Sequence, residues 1–268
     1  MKWAHDNQLQ VWALFSNSFD PKITTEALSS YDKRMKMTKQ LLGFAQSYGL
    51  QGFNIDFENV NVKDKANLVQ LMREMTPLLH EQGLTVSMDV TPKSNSGMWS
   101  LFYDRKALAQ TVDYMMVMAY DEHWGSSPVA GSVASLPWVE KSVSQIIAQD
   151  AVPPSKIILG VPFYTRIWTE EPKEGKTAVT SKAVFMETAA KLINEKQLTP
   201  VFQENVKQNY VEYQEEGKTL KIWLEDSRSM KSRIELVNKL NLAGVGSWRR
   251  GYELPEIWPV IKDALEGK

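Results

Sequence analysis

Short apolar or β-branched runs alternate along the chain with longer amphipathic, charged stretches. That is the pattern of repeated βα units feeding a parallel sheet. It predicts strands over 11–16, 53–58, 84–90, 113–120, 156–164 and 244–248. Helices are expected near 31–48, 64–82, 137–149, 228–241 and 254–266, with a short one around 104–110. Gly49 and Gly83 punctuate helical segments, and Pro153-Pro154 marks a turn before a strand. The rhythm breaks once, over 165–222, where the spacing between strands is too long for one helix. Tyr210-Val211-Glu212-Tyr213 alternates, Glu215-Glu216-Gly217-Lys218 turns, and Thr219-Leu220-Lys221-Ile222-Trp223 alternates again. The reading is a small α+β insertion, a helix followed by a hairpin, ahead of the last strand. A long ordered loop is the alternative, and loops above about 15 residues without structure are uncommon.

One strand carries candidate chemistry. In Gly52-Phe53-Asn54-Ile55-Asp56-Phe57-Glu58 the polar groups occupy every second position. Alternate side chains of a strand face opposite ways, so Asn54, Asp56 and Glu58 share one face while Phe53, Ile55 and Phe57 can pack against helices. Burying two carboxyls on one face is costly. Residues i and i+2 lie roughly 6.6 Å apart along a strand, so each carboxyl feels the other's charge and one pKa should rise. A carboxylic acid still protonated near neutral pH is what a general acid requires. The competing reading is a pair of ion-paired carboxylates at a strand end.

Composition narrows the classes. The chain has 268 residues, 43% hydrophobic and 24% charged, enough for one domain of barrel size or two smaller ones. A net charge of -1 gives no general attraction to nucleic acid or to anionic membranes, so neither is expected as a partner. No apolar run approaches the roughly 20 residues of a membrane-spanning helix, and residues 1–10 lack the apolar stretch of a signal peptide. With no cysteine and three histidines without ligand spacing, neither metal nor cofactor is expected. Oligomeric state is left open.

In parallel α/β folds functional residues gather at the carboxyl ends of strands. Glu58, Tyr120, Asp121, Tyr164 and Trp248 each close a strand in this reading. No Gly-rich phosphate loop follows the first strand, which counts against a doubly wound nucleotide-binding sheet.

These residues carry a resemblance. Gln51 to Glu58 (QGFNIDFE) resembles the DxxDxDxE signature of family 18 glycoside hydrolases. Met118-Ala119-Tyr120-Asp121 is similar to that family's M-x-Y-D, and Gly160 to Arg166 (GVPFYTR) to its G-x-P-F-Y-x-R. Gly244 to Trp248 (GVGSW) is similar to its last strand. Asn-Ile-Asp-Phe-Glu-Asn with Tyr120-Asp121-Glu122-His123-Trp124 is most similar to the bacterial branch associated with spore germination and cortex peptidoglycan fragments. The resemblance implies a (β/α)8 TIM-barrel fold across 1–268 as a single catalytic domain, with the 165–222 insertion within it. The visible strands then correspond to numbers three to eight of the barrel. The first two βα units are expected to be missing, through a truncated chain, a misplaced start codon or a degenerate gene. Gln51 and Asn54 also depart from the signature, standing where its first two aspartates would be.

The activity implied is hydrolysis of β-linked N-acetylglucosamine glycans, peptidoglycan fragments ahead of chitin, by substrate-assisted retention. By resemblance Glu58 protonates the glycosidic oxygen, and the substrate's 2-acetamido carbonyl attacks the anomeric carbon to give an oxazolinium ion. Asp56 stabilises the acetamido N–H and the Tyr120 hydroxyl holds the carbonyl oxygen. Trp248 floors the sugar site, with Met118, Asp121, Tyr164 and Asn54 as further binding residues. The plain alternatives are core packing for Met118, Tyr164 and Trp248, and a helix-capping role for Asp121. Trp99, Trp124, Trp138 and Trp168 are divided between an extended groove and the core. The location implied is cell wall, spore or extracellular. The rival functions are a non-catalytic glycan-binding module, suggested by the missing strands and altered signature, and a glycosidase with a protein nucleophile.

Overall fold

The structure, a computed structural model, describes residues 1–267. They form two compact units, 1–118 with 145–158, and 119–144 with 159 onward.

The first unit runs α1 (Lys2–Asp6), β1 (Trp12–Ser16), α2 (Pro21–Leu28), α3 (Tyr31–Tyr48), β2 (Gly52–Asp56), α4 (Lys65–His80), β3 (Thr85–Val90), α5 (Arg105–Ala109) and β4 (Tyr114–Val117). Strands β1 to β4 pair in chain order, all parallel, with Ser16 opposite Asp56, Ile55 opposite Met88 and Val90 opposite Val117. Local chemistry sets the helix ends. The Asp20 carboxylate accepts the Lys22 and Ile23 amides, with Pro21 at the first helical position of α2. Ser30 caps α3, and Gly49 ends it in the left-handed region at φ 62. Leu68, Leu71, Met72, Met75 and Leu79 place the apolar stripe of α4 in the core. Arg34 of α3 grips Glu74 of α4 through Nε–Oε2 at 2.8 Å and Nη2–Oε1 at 2.9 Å.

Packing also explains Gly52. A Cβ at this position would lie 2.5 Å from the Thr85 carbonyl oxygen and 2.8 Å from the Trp12 ring, so β1, β2 and β3 come together only over a bare backbone. Gly52→Ala is expected to lower stability by about 1–3 kcal/mol, read as a fall in denaturant midpoint at constant slope.

The chain continues through α6 (Leu136–Asp150) and β5 (Ile157–Pro162). In the second unit there follow β6 (Tyr164–Lys173), β7 (Lys176–Phe185), α7 (Met186–Glu195), β8 (Val201–Gln203), β9 (Gln208–Glu215), β10 (Lys218–Trp223), α8 (Ser227–Lys239), β11 (Gly244–Trp248) and α9 (Ile257–Leu265). Strands β6 to β10 make an antiparallel sheet of order β7-β6-β10-β9-β8. Its own core holds Val184, Ala189, Val211, Ile222 and Leu224. Trp168 of β6 is fully buried and donates its indole N–H to the Gly131 carbonyl at 2.8 Å. Trp168 is therefore core.

Among the described residues six strands, β1 to β5 and β11, follow the βα pattern, against eight in a closed (β/α)8 barrel. Three expectations need correction. The fourth predicted strand stops at Val117, so Tyr120 and Asp121 lie past its end on a loop. The fifth predicted strand stops at Pro162, and Tyr164 opens β6 instead of closing β5. The insertion also has a second hairpin, β6–β7, turning at Glu174-Gly175 with φ of 42 and 78. This two-residue turn has the backbone signature of the expected one at Glu216-Gly217, with φ of 50 and 74.

Candidate active site

In the first unit the β2 face reads as predicted. Phe53, Ile55 and Phe57 are buried, while Asn54, Asp56 and Glu58 are partly open. Strand β2 ends at Asp56, so Glu58 sits two residues beyond it on a loop that other segments fix. Asn17, just past β1, accepts the Glu58 amide at 3.1 Å and donates Nδ2 to the Glu58 carbonyl at 2.8 Å. Asn59, at φ 55, donates its side-chain amide to the Phe19 carbonyl at 2.8 Å. On the other flank the buried Tyr103 hydroxyl donates to the Phe57 carbonyl at 2.9 Å. The Glu58 backbone is thus clamped from two sides, which limits the positions its carboxyl can sample.

Asn54 is held by β3. Its Oδ1 accepts the Ser87 hydroxyl at 2.6 Å, and its Nδ2 donates to Asp89 Oδ2 at 2.7 Å. Asp89 is buried, and its pKa is pushed up to about 8, by desolvation first and then by the charges of Asp56 and Glu58, against the pull of the Asn54 hydrogen bond. Burial also raises Asp56. The expected raised carboxyl is thus present, but desolvation is the first cause. The group lifted to about 8 lies on the neighbouring strand. Burial and the nearby Glu58 and Asp56 charges likewise hold the Tyr103 phenol well above its usual range, so it stays a neutral donor. Met118 is buried, its amide donating to the Val90 carbonyl at 2.9 Å.

In the second unit the Tyr120 and Tyr164 rings meet edge to face at 6.3 Å between centroids. Asp121, at φ 58, accepts Arg166 Nη2 at 3.1 Å and does not act as a helix cap. Burial, followed by Asp121, raises the Tyr164 phenol. Trp248 is 45% exposed, and a core filler would not be; its carbonyl accepts the Phe163 amide at 2.8 Å. Trp99 and Trp124 are exposed as well.

The motif residues therefore fall into two groups: Asn54, Asp56, Glu58 and Met118 in one unit, and Tyr120, Asp121, Tyr164 and Trp248 in the other. Sequence reasoning missed Asn17, Asp89 and Tyr103. Only Asp89 left a signal, a lone carboxylate among apolar residues inside a predicted strand.

Residues 2–253 match the profile of Glycosyl hydrolases family 18. The chain belongs to this family. Among family relatives it is 26% identical to the uncharacterized glycosylase YvbX of Bacillus subtilis, over 98% of this chain and 77% of that protein. It is 29% identical to the cortical fragment-lytic enzyme of Bacillus anthracis, over 92% of this chain and 57% of that enzyme. The chain thus spans little more than half the length of the cortical enzyme. The C-terminal domain of a chitinase-like protein from Desulfitobacterium hafniense superposes with a TM-score of 0.88 at 26% identity, covering 98% of this chain and 81% of that one. The family 18 fold is therefore shared across nearly all of this chain, and it is the partial (β/α)8 type that the motifs imply.

Proposed function

We propose that the chain acts as a single catalytic barrel domain, with the 165–222 insertion within it, hydrolysing β-linked N-acetylglucosamine glycans. Peptidoglycan fragments of the spore cortex come ahead of chitin as substrate, and the setting is the cell wall, spore or extracellular space. The observation that carries the reading is the carboxyl end of β2, where Asp56 closes the strand and the clamped Glu58 stands two residues beyond it in a family 18 chain.

Glu58 protonates the leaving glycosidic oxygen, and the acetamido carbonyl oxygen of the same sugar closes on the anomeric carbon as the bond to the leaving group breaks. Asp56 counters the positive charge that develops on the acetamido nitrogen. Electrostatic stabilisation of this kind acts most strongly where charge appears in the transition state. Ionised Glu58 then takes a proton from water, which opens the oxazolinium ring with retention. In the same scheme the Tyr120 hydroxyl holds the acetamido oxygen, Trp248 stacks against the sugar, and Asn54, Met118, Asp121 and Tyr164 complete the binding residues.

The test compares cortex muropeptides, a fluorogenic chitooligosaccharide and a fluorogenic glucoside lacking the acetamido group. Hydrolysis of the first two and none of the third is expected. Turnover of the glucoside would point to a protein nucleophile, and tight binding without hydrolysis would point to a glycan-binding module.

A further inference from the structure

We propose that Asp56 and Asp89, on neighbouring strands, share one proton, and that Asp89 is a positioning residue that sets the charge carried by Asp56. The second part rests on the glycosidase reading above. The first stands on geometry alone.

Register brings the two carboxyls together. Asn54 pairs with Ser87 and Ile55 with Met88 across β2 and β3, so the next step along both strands sets Asp56 beside Asp89. Neighbouring strands lie about 4.8 Å apart. Asn54 bonds to the side chains of both Ser87 and Asp89, which puts 54, 56, 87 and 89 on one face of the sheet. Carboxylates facing each other from neighbouring strands in a desolvated setting raise each other's pKa, which favours one proton held by the pair at neutral pH.

The hydrogen bonds say where the proton goes. Asn54 donates to Asp89 Oδ2, leaving Oδ1 as the oxygen that can carry hydrogen. That Asp89 Oδ1 and Asp56 Oδ1 are both buried, and neither has a hydrogen-bond partner among the described residues. Two buried acceptors without a donor are each costly, and a single proton between them satisfies both. The other ionisable groups acting on the pair are Glu58, on the loop that follows β2, and the Tyr103 phenol. Arg105 does not neutralise the pair by hydrogen bonding: its Nη2 is bound to the Thr91 carbonyl and Ser100 hydroxyl, and its guanidinium lies 5.2 Å from the Tyr103 ring centroid. The rise of the Asp89 pKa to about 8 agrees with this arrangement. Where the family signature has its second aspartate this chain has Asn54, and the missing carboxyl is replaced from the adjacent strand.

Infrared difference spectroscopy of the whole chain, wild type against Asp89→Asn, reads the proton directly. A protonated-carboxyl C=O band is expected in the wild type at pH 6, lost as pH rises through about 8 and missing from Asp89→Asn. Should Asp89→Asn fail to fold, Asp56→Asn serves: the band's midpoint then falls by more than about one unit, because the neighbouring charge is gone. In kinetics, Asp89→Asn lowers kcat on the order of tenfold with little change in KM, and the ionisation near pH 8 disappears from the kcat profile. Adding Asn54→Asp to Asp89→Asn returns a carboxyl beside Asp56 and recovers most of the loss, which a purely structural role would not allow. No wild-type band, or an unchanged midpoint in Asp56→Asn, overturns the shared proton. An active enzyme whose pH profile ignores Asp89→Asn overturns the positioning role. If the band behaves as stated while the wild type cleaves none of the glycans, the glycosidase reading fails and the carboxyl pair stands.

Discussion

Glu58→Gln is expected to lower kcat on N-acetylglucosamine glycans by about 10²–10⁴-fold while leaving oligosaccharide binding and the melting temperature near wild type. The amide keeps the size and hydrogen-bonding reach of the carboxyl but cannot deliver a proton to the leaving oxygen or later accept one from water. Both halves of the double displacement therefore slow. Stability is spared because the loop is held by main-chain contacts, from Asn17 to the Glu58 amide and carbonyl and from Tyr103 to the Phe57 carbonyl. Initial rates and calorimetric binding on the same preparation separate the outcomes. Unchanged kinetics in this variant would remove Glu58 from the chemistry. Asn17→Ala gives a useful contrast, since it removes the clamp and leaves the acid in place. Its loss should be smaller and shared between kcat and KM.

Arg233→Met should be the most destabilising single change away from the candidate site, by about 3–5 kcal/mol. For a chain of this size that is a fall of roughly 6–20 °C in Tm, followed by thermal scanning. Arg233 and Glu225 are both fully shielded from solvent and form a bidentate pair in which Nη2 meets Oε1 at 2.8 Å and Nη1 bonds Oε2. The guanidinium also donates Nε to the Ala134 carbonyl at 3.0 Å, tying α8 to the segment ahead of α6. Burial pushes the Glu225 carboxyl up while Arg233 pulls it down, so removing the arginine leaves burial opposed by little more than the Ser229 hydrogen bond and the glutamate takes a proton. Replacing Glu225 by leucine as well would not restore stability. Gln208 Nε2 and the Ser229 hydroxyl both bond Glu225, at 2.9 Å each, and would lose that acceptor inside the core. A double variant as stable as wild type would show that this network contributes no net stability.

The elements read from periodicity were those with local determinants. Helix α3 begins and ends at 31 and 48 as predicted because Ser30 and Gly49 supply its caps. The alternation over 53–58 gave the face of β2 because the side-chain period of a strand needs no partner to be read. The β6–β7 hairpin escaped notice although Glu174-Gly175 has the composition of a two-residue turn, since Thr169 to Lys176 is too charged to read as buried strand. Tyr164 was assigned to the end of β5 because nothing local separates it from Pro162. Antiparallel pairing with Phe185, a distant residue, puts it in β6.

By itself the sequence determined the βα rhythm, the family motifs and the two carboxyls at 56 and 58, since each is written in neighbouring residues. The tertiary structure decided what surrounds those carboxyls. Asn54 and Asp89 are 35 positions apart, Asn17 and Glu58 41, Tyr103 and Phe57 46, and each pair meets only because parallel strands are joined through helices. Which residues then stand side by side depends on register. A slip of one position would have turned Asp89 to the opposite face of the sheet.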